Sequence, residues 1–322
     1  MTTTHPDADY FAHRFEVLTG SVARVIQGKD DVIRQAVICM LAEGHLLIED
    51  VPGVGKTTLA RALAATVELT WNRIQFTPDL LPSDVTGVSV FNQATLQFEF
   101  RPGAIFANIV VGDEINRASP KTQSALLEVM EEGTVTTDAV IYTVPRPFMV
   151  VATQNPIDME GTYQLPEAQL DRFLMRLSVG YPSPEAEAMV LRSEKNAATV
   201  DGLLPVMSSD DLLAMIDQIK TVEVAPAIEN YVIALSQFTR SAPEVRLGVS
   251  PRGSLALLKA ARATAASAGR SFVTPEDVKA VATSVLAHRI LLRPEAELEG
   301  RTNSELVARA LQGVPVPRTV AS

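Results

Sequence analysis

The chain carries one cysteine, Cys39, in 322 residues, so it can build neither a disulfide framework nor a thiolate metal cluster. Its four histidines, His5, His13, His45 and His288, are scattered without H-E-x-x-H or paired spacing, which argues against a transition-metal centre. Basic residues are in deficit: 28 Lys and Arg face 38 Asp and Glu, a formal net charge of −10. A general affinity for DNA, RNA or an anionic membrane needs a basic face, so no nucleic-acid partner is expected. No apolar run approaches the roughly 18 residues that cross a bilayer, and the polar, acidic stretch Met1–Asp9 is unlike a signal peptide. These absences predict a soluble cytoplasmic protein with no direct membrane insertion. What is present is a hydrophobic fraction of 47%, ample for a core and too high for a disordered or fibrous chain. At about 150 residues per domain, the length predicts two domains.

Pro/Gly punctuation and changes of apolar period divide the chain near residue 182. Residues 1–9 read as a disordered tail and Tyr10–Thr19 as a short helix. Asp30 or Asp31 caps a helix that carries Val32, Ile33, Ala36, Val37, Met40 and Leu41 on one face, and Gly44 ends it. Cys39 falls on the apolar side of that helix, as a core residue. His45–Ile48 is an apolar run of the buried parallel-strand type, followed by a Gly-rich turn and a helix over Thr57–Val67. Ala107–Val111 and Phe148–Ala152 are two more such strands, and Ser119, Pro120 and Gly133 punctuate the helix between them. Strands alternating with helices predict an α/β fold built on a doubly wound parallel sheet. Gly87–Phe100 alternates around Asn92-Gln93, and Val135–Val144 around Thr137-Asp138, so both read as β-hairpins inserted into that core. Beyond 182 the strand signals stop. The rest reads as helical over Asp210–Lys220, Pro226–Arg240, Pro251–Ala268 and Pro275–Arg289, with a capping-box pattern at Thr274 and close helix packing along Ala260–Ala268. The expected domains are therefore an α/β unit at 1–181 and a smaller all-α unit at 182–322.

Between the first buried strand and its helix lies Asp50-Val51-Pro52-Gly53-Val54-Gly55-Lys56-Thr57-Thr58. In a G-x-x-x-x-G-K-S/T loop, glycines let backbone N–H groups converge on phosphates with a helix N-terminus behind them. Lys56 then reaches the β/γ-phosphates and the Thr57 hydroxyl ligates Mg²⁺. Asp50 replaces the first glycine, and aspartate tolerates the left-handed backbone that position can require. Asp113 and Glu114 end the second buried strand. Alone they read as a solvated strand end; beside a lysine loop, Asp113 suits water-mediated Mg²⁺ ligation and Glu114 can polarise an attacking water. Asn155, closing the third strand, can meet a γ-phosphate or position water, or simply turn the chain before Pro156. Arg172 sits between apolar anchors, with a salt bridge to Asp171 as the plain alternative. Arg252 lies in the first turn of a capped helix, where a cation opposes the dipole and calls for a nearby anion such as phosphate.

Together these segments resemble the AAA+ ATPases, and within them the MoxR family of the clade bearing a helix-2 insert. The resemblance rests on residues 50–58, 112–128, 152–156, 165–173 and 248–253, and it extends from about Val25 to Arg289. It implies Lys56, Thr57 and Asp113 as the nucleotide–Mg²⁺ set and Glu114 as the hydrolytic glutamate. It also implies Asn155 at the sensor-1 position, Arg172 as arginine finger, Arg252 as sensor-2 arginine, and Ile26 to Gly28 beside the adenine. The two hairpins match the helix-2 insert and the pre-sensor-1 hairpin. Gly253 stands where such sequences usually carry alanine, which weakens that helix turn. The implied function is ATP hydrolysis with Mg²⁺ by a homo-oligomer, a hexameric ring, that remodels or helps assemble a partner protein. Proteins bearing a von Willebrand factor A domain are frequent partners in such a family. A magnesium-chelatase-type subunit shares both inserts, and a slowly hydrolysing nucleotide-switch scaffold shares the loop. A GTPase is disfavoured by the lack of N-K-x-D, a small-molecule kinase by the paired arginines, and a DNA-loading motor by the charge.

Overall fold

In the computed structural model, which describes residues 6–51, 53–155, 163–182, 184, 187–188 and 200–317, the apolar runs form the expected elements. The chain opens with α1 (Pro6–Ala23) and α2 (Asp30–Leu41), which lead into β1 (Leu46–Glu49). The expectation of a disordered tail is corrected over residues 6–9. Proline is well suited to a helix's first turn, and Phe11, Phe15, Leu18 and Val22, all buried, fasten α1 to the core. Residues 1–5 lie outside the described ones.

After the Gly-rich turn come α3 (Lys56–Thr66), β2 (Trp71–Gln75), α4 (Pro82–Thr86) and the antiparallel pair β3 (Gly87–Asn92) and β4 (Gln97–Pro102). Then follow β5 (Ile109–Asp113), α5 (Pro120–Glu132), the antiparallel pair β6 (Thr134–Thr137) and β7 (Val140–Thr143), β8 (Met149–Gln154), α6 (Glu167–Leu170) and β9 (Met175–Leu177). Both hairpins stand where the alternation put them. The second turns at Asp138-Ala139, both left-handed with φ of 51° and 62°, one residue later than expected.

The sheet order is β2-β5-β8-β1-β9, with every neighbouring pair parallel. Leu47, Val110 and Val150 pack with Leu126 and Leu127 of α5, while Leu46, Ile48, Ile109, Val111 and Val151 pack with Leu59 and Leu63 of α3. With both faces covered, the three central strands are apolar up to their carboxyl ends, which is why they were readable. The edge strands β2 and β9 were not located: β2 buries Ile74 alone, and β9 is three residues long.

The second half contains α7 (Ser209–Ile219), α8 (Pro226–Ser241), β10 (Val245–Leu247), α9 (Pro251–Ser267), α10 (Pro275–Leu286), β11 (Leu291–Leu292), α11 (Pro294–Leu298) and α12 (Asn303–Gly313). The second half is helical as expected, with one short antiparallel pair, β10 and β11, too brief to leave a period in the sequence. Ala260, Ala261, Ala263 and Ala265 of α9 are buried, as their small size allows where helices pack closely. None of the described helices is long and apolar enough to cross a membrane.

One buried cation ties the two halves together. Arg289 Nε donates to Asp171 Oδ1 at 2.7 Å, and its Nη groups donate to the carbonyls of Leu174 (3.1 Å), Asp171 (3.2 Å), Phe173 (2.5 Å) and Val285. Asp171 Oδ2 accepts from the Ser250 hydroxyl at 2.8 Å. A Cβ on Gly253 would lie 2.7 Å from Val249 Cγ1 and 2.8 Å from Arg289 Cδ, so this glycine makes room for the arginine, a correction to its reading as a mere weakening of the helix. Arg289→Ala leaves the Asp171 carboxylate and several carbonyls short of a donor, and should cost about 3–5 kcal/mol in urea unfolding. A loss below about 1 kcal/mol would contradict the anchoring role.

Two buried histidines add a pH dependence. His45 Nδ1 accepts from the Val150 N–H at 3.0 Å, so its Nε2 carries the proton and donates to the Met130 carbonyl at 2.9 Å. Burial pushes its pKa down from 6.5 to about 4, and burial with the Arg289 charge pushes His288 well below the usual value. Both are neutral in the folded chain, whereas the unfolded chain protonates near 6.5, so their contribution is complete above that pH and is lost as pH falls towards 4. Unfolding free energies from urea melts between pH 7 and 4.5 should fall by up to about 1.4 kcal/mol per pH unit per histidine, and His45→Gln should flatten the slope. An unchanged slope in that variant would remove His45 from the account.

Candidate nucleotide site

Parallel register brings the C-terminal ends of the central strands level: Glu49 pairs with Gln154, Gly112 with Ala152, and Gln75 with Asp113. The glycine-rich loop leaves β1 at this end. Gly53 and Gly55 take the left-handed positions, with φ of 85° and 89°, and Gly55 caps α3 so that Lys56, Thr57 and Thr58 form its first turn. Val54 packs on the core, and Pro52 lies outside the described residues. Asp50 does not adopt a left-handed backbone, which corrects the reason for its tolerance. Its carboxylate instead accepts from the Val51 N–H (2.9 Å), the Ser178 hydroxyl (3.0 Å) and the Gly180 N–H (2.5 Å). Burial works against that charge, but the hydrogen bonds from Gly180, Ser178 and Val51 outweigh it and hold the carboxyl below its usual range.

Lys56 Nζ donates to the Asp50 carbonyl at 2.7 Å and the Gln154 carbonyl at 3.4 Å. Partial burial lowers its pKa, against the pull of Asp50, Asp113 and Glu114. The Thr57 hydroxyl lies 3.3 and 3.2 Å from the two oxygens of the buried Asp113. Thr153 Oγ1 donates to Asp113 Oδ1 at 3.2 Å and accepts from the Glu114 N–H at 3.0 Å. Glu114 has a left-handed backbone, φ 57°, and its carboxylate accepts from Gln75 Nε2 at 3.1 Å and Arg117 Nη1 at 2.9 Å. Asn155 is buried just beyond β8. Ile26 Cδ1 lies 3.9 Å from where a Cβ on Gly55 would stand, and the left-handed Gly28, φ 69°, follows two residues later. One end of the sheet thus gathers helix-N-terminal amides, an ammonium, a hydroxyl and two carboxylates. That donor set fits a nucleoside triphosphate with a hydrated divalent cation.

Arg172 and Arg252 are brought together elsewhere. Arg172 lies in the turn before β9, level with the start of β1, where the Leu174 N–H donates to the His45 carbonyl at 2.8 Å. Its Nη1 donates to the Leu127 carbonyl at 2.5 Å and pairs with Glu131 Oε2 at 2.9 Å. Arg252 Nη2 pairs with the other Glu131 oxygen at 2.9 Å. The plain alternative for Arg172, a salt bridge to Asp171, is not formed, because Asp171 is held by Arg289. The anion called for by the first turn of α9 is Glu131 within this chain. Both arginines line a cavity of about 330 Å³ with Glu43, Lys259 and Leu255. The four residues of β1 separate this cavity from the phosphate-type loop.

The residues missed from the sequence are Arg73, Gln75, Thr153 and Glu131. Arg73 and Gln75 flank the buried Ile74, an alternation too short to stand out, and Thr153 lies inside a motif credited only for its asparagine.

Residues 45–175 match the ATPase family associated with various cellular activities (AAA), and residues 237–310 match the AAA lid domain. Chaperone MoxR1 of Mycobacterium tuberculosis is 39% identical over 96% of this chain and 84% of its own. The chain belongs to the MoxR family of AAA ATPases. YeaC of Bacillus subtilis is 50% identical over 92% of both chains. A crystal structure of a Cytophaga hutchinsonii protein matches with a TM-score of 0.89 and 38% identity, covering 97% of each chain. The five-stranded parallel core, its small hairpins and the helical lid region are thus shared with this family's AAA architecture. In a MoxR-type AAA ATPase with this geometry, Glu114→Gln should keep ATP binding, since shape and hydrogen bonding persist, and slow hydrolysis by about 10²–10⁴. Calorimetry and phosphate release check both; a variant that loses ATP affinity would give Glu114 a structural role.

Proposed function

We propose that the chain hydrolyses ATP with Mg²⁺ as a homo-oligomeric ring, hexameric as the family resemblance implies, and uses the cycle to remodel or assemble a partner protein in the cytoplasm. The observation that carries this reading is the split between the two groups of residues. Lys56, Thr57, Asp113, Glu114 and Asn155 gather at the carboxyl ends of the strands, while Arg172 and Arg252 stand at the opposite ends. A four-residue strand spans roughly 13 Å, beyond the reach of an arginine across the sheet. The arginines therefore serve the nucleotide of a neighbouring copy.

In this reading the chain has a nucleotide-binding part at 1–181 and a lid at 182–322, a division consistent with the two matched segments. Lys56 and the loop amides from Asp50 to Thr58 hold the triphosphate, with Ile26 to Gly28 against the base. The Thr57 hydroxyl and, through water, Asp113 hold the metal, which when bound neutralises charge on the β/γ-oxygens. Glu114 orients and deprotonates the attacking water, and Asn155 keeps that water in line. Arg172 and Arg252 stabilise charge developing on the neighbour's γ-phosphate, an effect worth about 10³–10⁵ in rate for an arginine finger. Exposed Phe91, Phe98, Leu96 and Ile141 on the two hairpins support a protein client, a von Willebrand factor A domain being the first class to test. The name of the relative MoxR1, a chaperone, agrees with that client.

Arg172→Ala should bind ATP almost normally yet hydrolyse it slowly, and Lys56→Ala should fail to bind it. Mixing the two should restore part of the turnover, because one mixed interface joins an intact loop to an intact arginine. Turnover that stays at background at every ratio, in a mixture shown to co-assemble, would rule out action between copies.

A further inference from the structure

Asp50 meets its surroundings through two separate sets of atoms. Its N–H donates to the Gln154 carbonyl at 3.2 Å, so the ladder of the sheet already holds the start of the loop. Its carboxylate is left for other partners. Oδ1 turns back to the Val51 N–H, while Oδ2 accepts from the Ser178 hydroxyl at 3.0 Å and the Gly180 N–H at 2.5 Å. The glycine that the loop pattern calls for at this position could make neither of the last two bonds.

Residues 178–182 carry the chain out of β9 and form no helix or strand. They are gripped a second time from the other side. Lys29 Nζ donates to the Tyr181 carbonyl at 2.7 Å and lies 3.7 Å from where a Cβ on Gly180 would stand. Lys29 directly follows Ile26 to Gly28, and Ile26 in turn approaches the loop at Gly55. Three stretches of chain, the loop, residues 26–29 and residues 178–181, therefore meet. A nucleotide with its phosphates on the loop and its base against Ile26 to Gly28 has residues 178–181 as the third side of its crevice.

We propose that Asp50 is a positioning residue whose carboxylate latches residues 178–180 to the phosphate loop and so slows the release of nucleotide. The proposal rests on the reading of the loop as the triphosphate site and of Ile26 to Gly28 as the neighbour of the base. Latch and charge act with opposite signs. A carboxylate near phosphates repels them, so its charge alone makes Asp50→Gly hold ADP longer. Loss of the latch frees the third side of the crevice and shortens the stay.

The test is the association and release of a fluorescent ADP by stopped flow, together with hydrogen exchange of the Gly180 amide in the nucleotide-free protein. In Asp50→Gly, release and Gly180 exchange should each quicken by about ten-fold, the scale of losing a charge-assisted hydrogen bond, while association stays within about two-fold. Ser178→Ala removes one donor and keeps the charge, so release should quicken by about three-fold. This exposed substitution decides the matter should Asp50→Gly fail to fold by circular dichroism. Release that is unchanged or slower in the folded variants would overturn the latch. A parent that binds no ADP would remove the nucleotide reading itself, and the proposal with it.

Discussion

The hydrogen-bond ladder that holds β5, β8 and β1 parallel and in register is the constraint on which the molecule's chemistry depends. Three short strands, buried on both faces, must end level with one another before a loop, a hydroxyl and two carboxylates can meet. The ladder also supplies backbone acceptors directly: the carbonyls of Asp50 and Gln154 face the Lys56 ammonium, and the latter also accepts the Asp50 N–H at 3.2 Å. A slip of one residue in β8 would carry Thr153 away from Asp113 and turn its side chain to the other face. The apolar faces of the strands forbid that slip, because Val150 and Val151 belong to opposite cores.

The same ladder keeps the arginines apart from the loop. At the far ends of the strands the polar groups are organised around the joint between the halves of the chain. Asp171 is gripped by Arg289 and Ser250 from the second half, and the next residue, Arg172, shares Glu131 with Arg252. The arginine pair therefore spans the contact between the two halves: Arg172 belongs to the first and Arg252 to the second, and Glu131 of α5 holds both. The Glu131 carboxylate that the two cations share offsets the repulsion between them. At the loop end, Asp50 reaches across to Ser178 and Gly180, so the phosphate loop too is fastened to the segment leading out of the sheet.

Legibility followed burial. Buried strands and amphipathic helices announced themselves because both faces of the sheet and one face of each helix are apolar, and the loop, Asp113 and Glu114 were legible because their spacing carries its own chemistry. Edge elements were not. β2 exposes Trp71, Arg73 and Gln75, and β10 and β11 are shorter than any period. Partnerships over long separations were also hidden: nothing adjacent in the chain links Glu131 to Arg252 or Asp171 to Arg289, and the local alternative of Arg172 with Asp171 gave way to both. Gly253 read as a flaw until the bulk of Arg289 explained it. Residue type and spacing conveyed which groups have chemistry, while the packing decided which of them meet.

The most direct measurement is a structure of the assembled Glu114→Gln protein with Mg²⁺ and ATP. The account requires Lys56 and Thr57 of one copy on the β/γ-phosphates, with Arg172 and Arg252 of the adjacent copy released from Glu131 and turned to the γ-phosphate. An assembly in which both arginines stay on Glu131, or in which Arg252 folds over the nucleotide of its own copy, would contradict it.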